Sequence, residues 1–269
     1  MGWRTLVACS LLMGACGQGA EPPAAAPEPR ATPDTGIRLT TKLSSPTDIW
    51  VSWTDPAADK AAGYIVEFAS EVAGPYVVLE YALPSTTTHH HPDILPGSTF
   101  VYRVRAFYGP ASPPVEVVLP STLSDAEYQK RMDGDEDFNW GHPETRPEGN
   151  ATRGRIRDAS PTAQADAAPT DLASKLMPVT VSGFLLTWTD HSSDEEGFFI
   201  EQRLEGARDF RVVAVTEKDV NKFGYALKPP DRKAHFRVRA FYYGKPSNLE
   251  TQQTPAEKAD ATPQPKDED

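Results

Sequence analysis

The sequence predicts an all-β chain of two sandwich domains, and three observations carry that expectation. The first is an internal repeat. Trp53-Thr54-Asp55, Gly63-Tyr64-Ile65-Val66-Glu67 and Arg103-Val104-Arg105-Ala106-Phe107-Tyr108 return in the same order as Trp188-Thr189-Asp190, Gly197-Phe198-Phe199-Ile200-Glu201 and Arg237-Val238-Arg239-Ala240-Phe241-Tyr242. The offset is 135 residues at the Trp and 134 at the Arg, one deletion across half a domain. The second is alternation of period two, which places one set of side chains on a buried sheet face. The third is turn chemistry between short β-rich runs, at Asp55-Pro56, Ala73-Gly74-Pro75, Leu95-Pro96-Gly97 and Tyr108-Gly109-Pro110. Neither copy sustains a helical period.

Each alternating run supplies one inward row. Ile49, Val51 and Trp53 share a face in the first copy, as Phe184, Leu186 and Trp188 do in the second. Tyr64, Val66 and Phe68 form the next row, matched by Phe198 and Ile200. Phe100, Tyr102, Val104 and Ala106 form a third, matched by Phe236, Val238 and Ala240. Two sheets closing on these rows make a self-sufficient sandwich of each copy, at 36–120 and 168–255.

Both copies resemble the fibronectin type III domain, an immunoglobulin-like sandwich, in the form common in secreted and surface bacterial proteins. The carriers are Leu186-Thr187-Trp188-Thr189-Asp190 and Val51-Ser52-Trp53-Thr54-Asp55, the Ser192-to-Phe198 approach to the third strand, the Leu95-Pro96-Gly97-Ser98-Thr99 turn and the two Arg-Val-Arg-Ala strands. The family usually has a Tyr three residues before the strand-F Arg, tying the E–F turn. Phe100 and Ala234 stand there, so that bond is missing in both copies, at a cost of about 1–2 kcal/mol each. The second copy also carries Lys228-Pro229-Pro230-Asp231 in place of Leu-Pro-Gly and is expected to be the less stable domain.

The chain opens with one Arg and an apolar run from Thr5 to Ala15, too short to span a bilayer and fitting an export signal at 1–15. Leu12-Met13-Gly14-Ala15-Cys16 resembles a bacterial lipobox, with Met13 where that motif prefers Leu. The resemblance implies lipidation of Cys16 and attachment to a membrane; the alternative is a Cys within an ordinary signal cut near Ala20. No Cys follows position 16, so the exported chain is expected to hold no disulfide. Residues 16–35 are Pro/Ala-rich with almost no large apolar side chain, a tether.

Between the copies, 121–167 reads as a long, charged, mostly disordered linker, with capping-box spacing at Ser124-Asp125-Ala126-Glu127 for a short helix through Met132. Asp133, Asp135, Asp137, Asn139 and Glu144 have calcium-loop spacing, but Phe138 stands where the sharp bend needs Gly, so an acidic linker is expected. Residues 256–269 read as a disordered charged tail.

His89-His90-His91 could begin a zinc site through His89 and His91, but lacks further ligands; the resemblance turns His90 inward, and no metal or cofactor is expected. Glu67 and Glu201 face Arg103, Arg105, Arg237 and Arg239 on the neighbouring strands, where cross-strand pairing suffices and an anion site is the alternative. Trp50 alternates outward, with Leu185 as its counterpart, and either partner binding or cover by other chain segments follows. Tyr108, Tyr242 and Tyr243 in the loops after the Arg strands are further candidate contacts.

The 269 residues carry 27 Lys+Arg against 38 Asp+Glu, a net charge of -11 that argues against nucleic-acid partners. No nucleophile motif or phosphate-cradling Gly loop is present, so no catalysis is expected. The sequence points to an anchored envelope protein whose sandwiches bind protein or glycan. The alternatives are a structural stalk or envelope-complex subunit, and an accessory module for a secreted polysaccharide-degrading enzyme.

Overall fold

A computed structural model describes residues 36–122, 124, 126, 164–177, 182–228 and 230–256. Its elements are the strands β1 (Arg38–Ser45), β2 (Asp48–Thr54), β3 (Gly63–Ala69), β4 (Val77–Ala82), β5 (Thr88–His91), β6 (Thr99–Tyr108) and β7 (Val115–Val118) of the first repeat. The second contributes β8 (Thr170–Leu176), β9 (Gly183–Thr189), β10 (Gly197–Leu204), β11 (Arg211–Glu217), β12 (Lys222–Ala226), β13 (Lys233–Pro246) and β14 (Glu250–Gln253). The fold is all-β, built as two immunoglobulin-like sandwiches. The signal at 1–15, Cys16 and its tether, and residues 257–269 lie outside the described residues. So do nearly all of the linker with its capping-box helix, and the whole acidic spacing at Asp133–Glu144.

The inward rows close the two cores as their alternation requires. Ile49, Val51 and Trp53 are buried against Tyr64, Val66, Tyr102 and Val104. Phe184, Leu186 and Trp188 are buried with Phe198, Ile200, Phe236 and Val238. Trp53 meets Tyr64 edge-on at 5.6 Å, and Trp188 meets Phe198 at 5.5 Å, so the same aromatic pair anchors both.

The self-sufficiency expected of each copy does not hold. One sheet of each sandwich is local: β1-β2-β5 in the first and β8-β9-β12 in the second. The other is completed by exchange. β14, the last strand of the second repeat, pairs with β6, while β7, the last strand of the first, pairs with β13. β13 also pairs directly with β6, Tyr242 opposite Tyr108 and Tyr243 opposite Phe107, joining both repeats in one sheet.

Local chemistry favours the crossing. After β6 the chain carries Pro110, Pro113 and Pro114, whose fixed φ extends the segment rather than folding it back. Ser112 donates its N–H to the Val238 carbonyl at 2.8 Å and accepts the Val238 N–H at 3.1 Å. Ser247 repeats both bonds on Val104, at 2.8 and 3.0 Å. Gly109 lies at φ 121° against β13, where a Cβ would stand 2.1 Å from the Ala240 carbonyl oxygen. Only glycine permits that approach.

The seam between repeats is aromatic. Phe199 stacks on Phe241 at 3.8 Å and meets Phe107 and Tyr81 of the first repeat edge-on at 4.7 and 5.1 Å. Ile65, Phe107, Phe199 and Phe241 alternate away from their own sandwich cores, yet all are buried.

Beside the seam each repeat buries one carboxylate. Glu67 is fully buried and accepts Nε and Nη2 of Arg103, both at 3.0 Å, and Nε of Arg105 at 2.8 Å. Glu201 accepts Nε of Arg239 at 2.6 Å and a second bond from Nε of Arg237. Arg103 lies over the Tyr76 ring at 3.7 Å and Arg237 over Phe210 at 4.3 Å. The cross-strand pairing expected from sequence is therefore present, but buried, and these guanidinium groups are committed to carboxylates and rings.

Two outcomes follow. Glu67→Ala leaves two clustered guanidinium groups without their carboxylate and is expected to lower stability by about 3–5 kcal/mol in urea melts. A protease site placed within 127–163 and cut should leave the two halves co-eluting on size exclusion, because each holds the other's last strand; independent sandwiches would part.

Candidate functional site

The sheet β1-β2-β5 presents the one large exposed aromatic among the described residues, Trp50, with 42% of its surface exposed. It sits mid-strand on β2, opposite Lys42 of β1 and His90 of β5. The His90 ring stacks on the indole at 4.5 Å and 16°, and His90 Nε2 lies 3.1 Å from Asp48 Oδ1. A flat aromatic pair is thereby flanked by one cation and one carboxylate.

His90 faces outward, contrary to the expectation. The register pairs His91 with Ile49 and His89 with Val51, and residues directly opposite share a face, so those two histidines point inward. His89 Nδ1 is 2.6 Å from Glu80 Oε2, and His91 Nδ1 is 2.9 Å from the Tyr102 hydroxyl. Both inward imidazoles thus have partners within the protein. Burial holds His91 down at about 4, helped by the charges of His89 and His90, while the His89 hydrogen bond lowers the Glu80 carboxyl.

The remaining candidates are distributed unequally. Leu185 is half-buried on β9, opposite Lys175 and Gly224, so the second repeat has no aromatic platform there. Tyr108 and Tyr242 stack on each other at 5.3 Å across the seam. Tyr243 lies within β13, half-buried, against Phe241 at 5.1 Å and beneath Arg105 at 5.4 Å. The expected loop at 242–245 is strand, because β13 runs straight on to Pro246. What these tyrosines meet is the other repeat.

One grouping escaped sequence reasoning. Carboxylate oxygens of Asp190, Glu195 and Asp219 lie within 4.8 Å of one another, the first two in the connection between β9 and β10 and the third in the turn between β11 and β12. Glu195 is buried; its Oε1 accepts the Asp219 N–H at 3.4 Å, and its Oε2 has no hydrogen-bond partner. Burial raises the Asp190 carboxyl, and the charges of Glu195 and Asp219 add to the effect. Asp194-Glu195-Glu196 is visible as an acidic run, but Asp219 is distant in sequence and no spacing rule joins it to Asp190.

His91 sets a pH dependence. From pH 6.5 down to about 4 the unfolded chain binds a proton here that the folded chain refuses, so stability falls on acidification. The slope should reach at most about 1.4 kcal/mol per pH unit, and His91→Asn should flatten it in urea melts between pH 7 and 4.

No family model matches the chain. Integrin beta-4 of Rattus norvegicus is 39% identical over 75 residues, and that of Mus musculus 37% over 75. These stretches are 28% of this chain and only 4% of the length of either relative. Integrin beta-4 contains fibronectin type III domains, and together with the all-β architecture the similarity supports a fibronectin type III-like fold.

Proposed function

We propose that the chain is a non-catalytic, lipid-anchored protein of the bacterial envelope that binds a protein or glycan partner through the face centred on Trp50. The observation carrying this reading is the exposed stack of Trp50 on His90, set between Lys42 and Asp48. Such a surface suits a sugar ring, whose apolar face packs on an indole while its hydroxyls reach flanking polar groups, or a partner's aromatic patch. Cys16, by the lipobox resemblance, supplies the membrane attachment, and 16–35 the tether. Nucleic acid is disfavoured by the net charge of -11.

A second reading, a structural stalk or envelope-complex subunit without its own ligand, is favoured by the strand exchange. Reciprocal pairing of β7 and β14 makes a firm spacer of the two repeats. The Trp50→Ala variant separates the readings on glycan and protein arrays. Binding by wild type that falls at least about tenfold in the variant supports recognition through this face. Equal binding by both places recognition elsewhere, and silence from both favours the stalk. Signal on insoluble polysaccharide alone favours an accessory role beside a secreted polysaccharide-degrading enzyme. Acyl labelling of wild type against Cys16→Ser tests the anchor.

A further inference from the structure

The two repeats start from the same aspartate and treat it differently. Asp55 follows Trp53-Thr54 as Asp190 follows Trp188-Thr189. Each turns one oxygen onto the backbone two residues on: Asp55 Oδ1 accepts the Ala57 N–H at 2.8 Å, and Asp190 Oδ1 accepts the Ser192 N–H at 2.9 Å. In the first repeat the second oxygen is also satisfied, because the Tyr64 hydroxyl donates to Asp55 Oδ2 at 3.1 Å. The residue matching Tyr64 is Phe198, which has no hydroxyl to give.

Where the first repeat supplies a proton donor, the second gathers more negative charge. Glu195 and Asp219 bring carboxylate oxygens within 4.8 Å of Asp190. Glu195 is only 5% exposed, and its Oε2 is buried with no donor. A buried, unpartnered carboxylate oxygen beside two further carboxylates is costly unless something positive joins it. The basic neighbour acting on Asp190 is His191, whose Nε2 is engaged with Thr170 Oγ1 at 2.8 Å.

We propose that Asp190, Glu195 and Asp219 form a binding site for a divalent cation, with calcium the ion that fits. Three oxygens at the 4.8 Å limit stand about 2.8 Å from a central ion, so a slight closure brings them to the calcium–oxygen distance of about 2.4 Å, whereas magnesium at about 2.1 Å requires the carboxylates to close further. All three ligands are hard oxygen donors, which disfavours zinc or copper. Three carboxylates with water completing the shell correspond to affinities of about 10⁻⁴–10⁻³ M, the range of extracellular modules. The ion would tie the end of β9 to the turn between β11 and β12, and so the local sheet of the second sandwich to its exchanged one.

Thermal melts of the full chain in EDTA, in millimolar calcium and in millimolar magnesium test this, beside Glu195→Gln and Phe198→Tyr. Calcium at about 1 mM is expected to raise the wild-type Tm by about 1–6 °C, with a smaller rise in magnesium. Glu195→Gln should abolish the calcium shift while melting no lower than wild type in EDTA, since it removes an unpaired charge. Phe198→Tyr should reduce the shift, by giving Asp190 the donor that Tyr64 gives Asp55. If Glu195→Gln does not fold, Phe198→Tyr decides. No calcium shift in wild type, or a full shift retained in the deciding variant, overturns the proposal; the second result would place the ion elsewhere, as in the acidic spacing from Asp133 to Glu144.

Discussion

The architecture depends on how the open edges of β6 and β13 are closed. An edge strand leaves a row of backbone N–H and C=O groups that must find partners or remain in water. Here each edge is closed by a strand from the other repeat, and by the direct pairing of β13 on β6. Neither sandwich completes its second sheet with its own last strand, so the two repeats share one closed sheet. The remaining seam contacts follow from this crossing. Asn248 reaches back to β1, accepting the Leu39 N–H at 2.8 Å and donating to its carbonyl at 3.0 Å, which binds the exchanged strand to both sheets of the first sandwich.

The exchange explains why charged side chains that alternate outward are buried. A fibronectin-like sheet standing alone would leave Glu67 and Arg105 at its surface. In the joined sheet both are buried beside the aromatic seam, Arg105 lying over the Tyr243 ring, in surroundings of lower dielectric. Guanidinium–carboxylate geometry then matters, because desolvation of a buried carboxylate is offset only when both of its oxygens have directed partners. Glu67 and Glu201 meet that condition through the same pair of arginines in each repeat. Glu195 does not, which sets its oxygen apart from the other buried carboxylates.

Much of the core was legible because it is periodic. The rows built on Trp53 and Trp188 follow from alternation alone, and Trp50 follows as their outward neighbour. The exchange was not legible, and the reason lies in the repeat itself. Both copies carry Arg-Val-Arg-Ala-Phe-Tyr, so β7 meets nearly the same edge on β13 as it would on β6, and local pattern cannot name the partner. A partial signal existed in Ile65, Phe107, Phe199 and Phe241, apolar at positions that should face water. His90 was misplaced for a related reason: in a run of three identical side chains, composition gives no phase, and only the register against Ile49 and Val51 supplies one.

Pseudo-symmetry also indicates where the two copies can differ at low cost. Ser112 and Ser247 make the same pair of bonds on opposite strands, and each crossing closes an edge of the other repeat's sheet, so a change at either weakens the joined sheet. Positions on β2, β5, β9 and β12 carry no such double duty, since neither local sheet takes a strand from the other repeat. There the copies do diverge: Trp50 opposite His90 in one corresponds to Leu185 opposite Gly224 in the other. The paired Arg-Glu clusters and serine clamps build the common frame, while the unmatched side chains lie where the frame tolerates variation. An exposed indole in one copy where the other has a half-buried leucine is therefore a difference of surface chemistry between two halves of one scaffold, and it is on such differences that recognition can be built without altering the exchanged core.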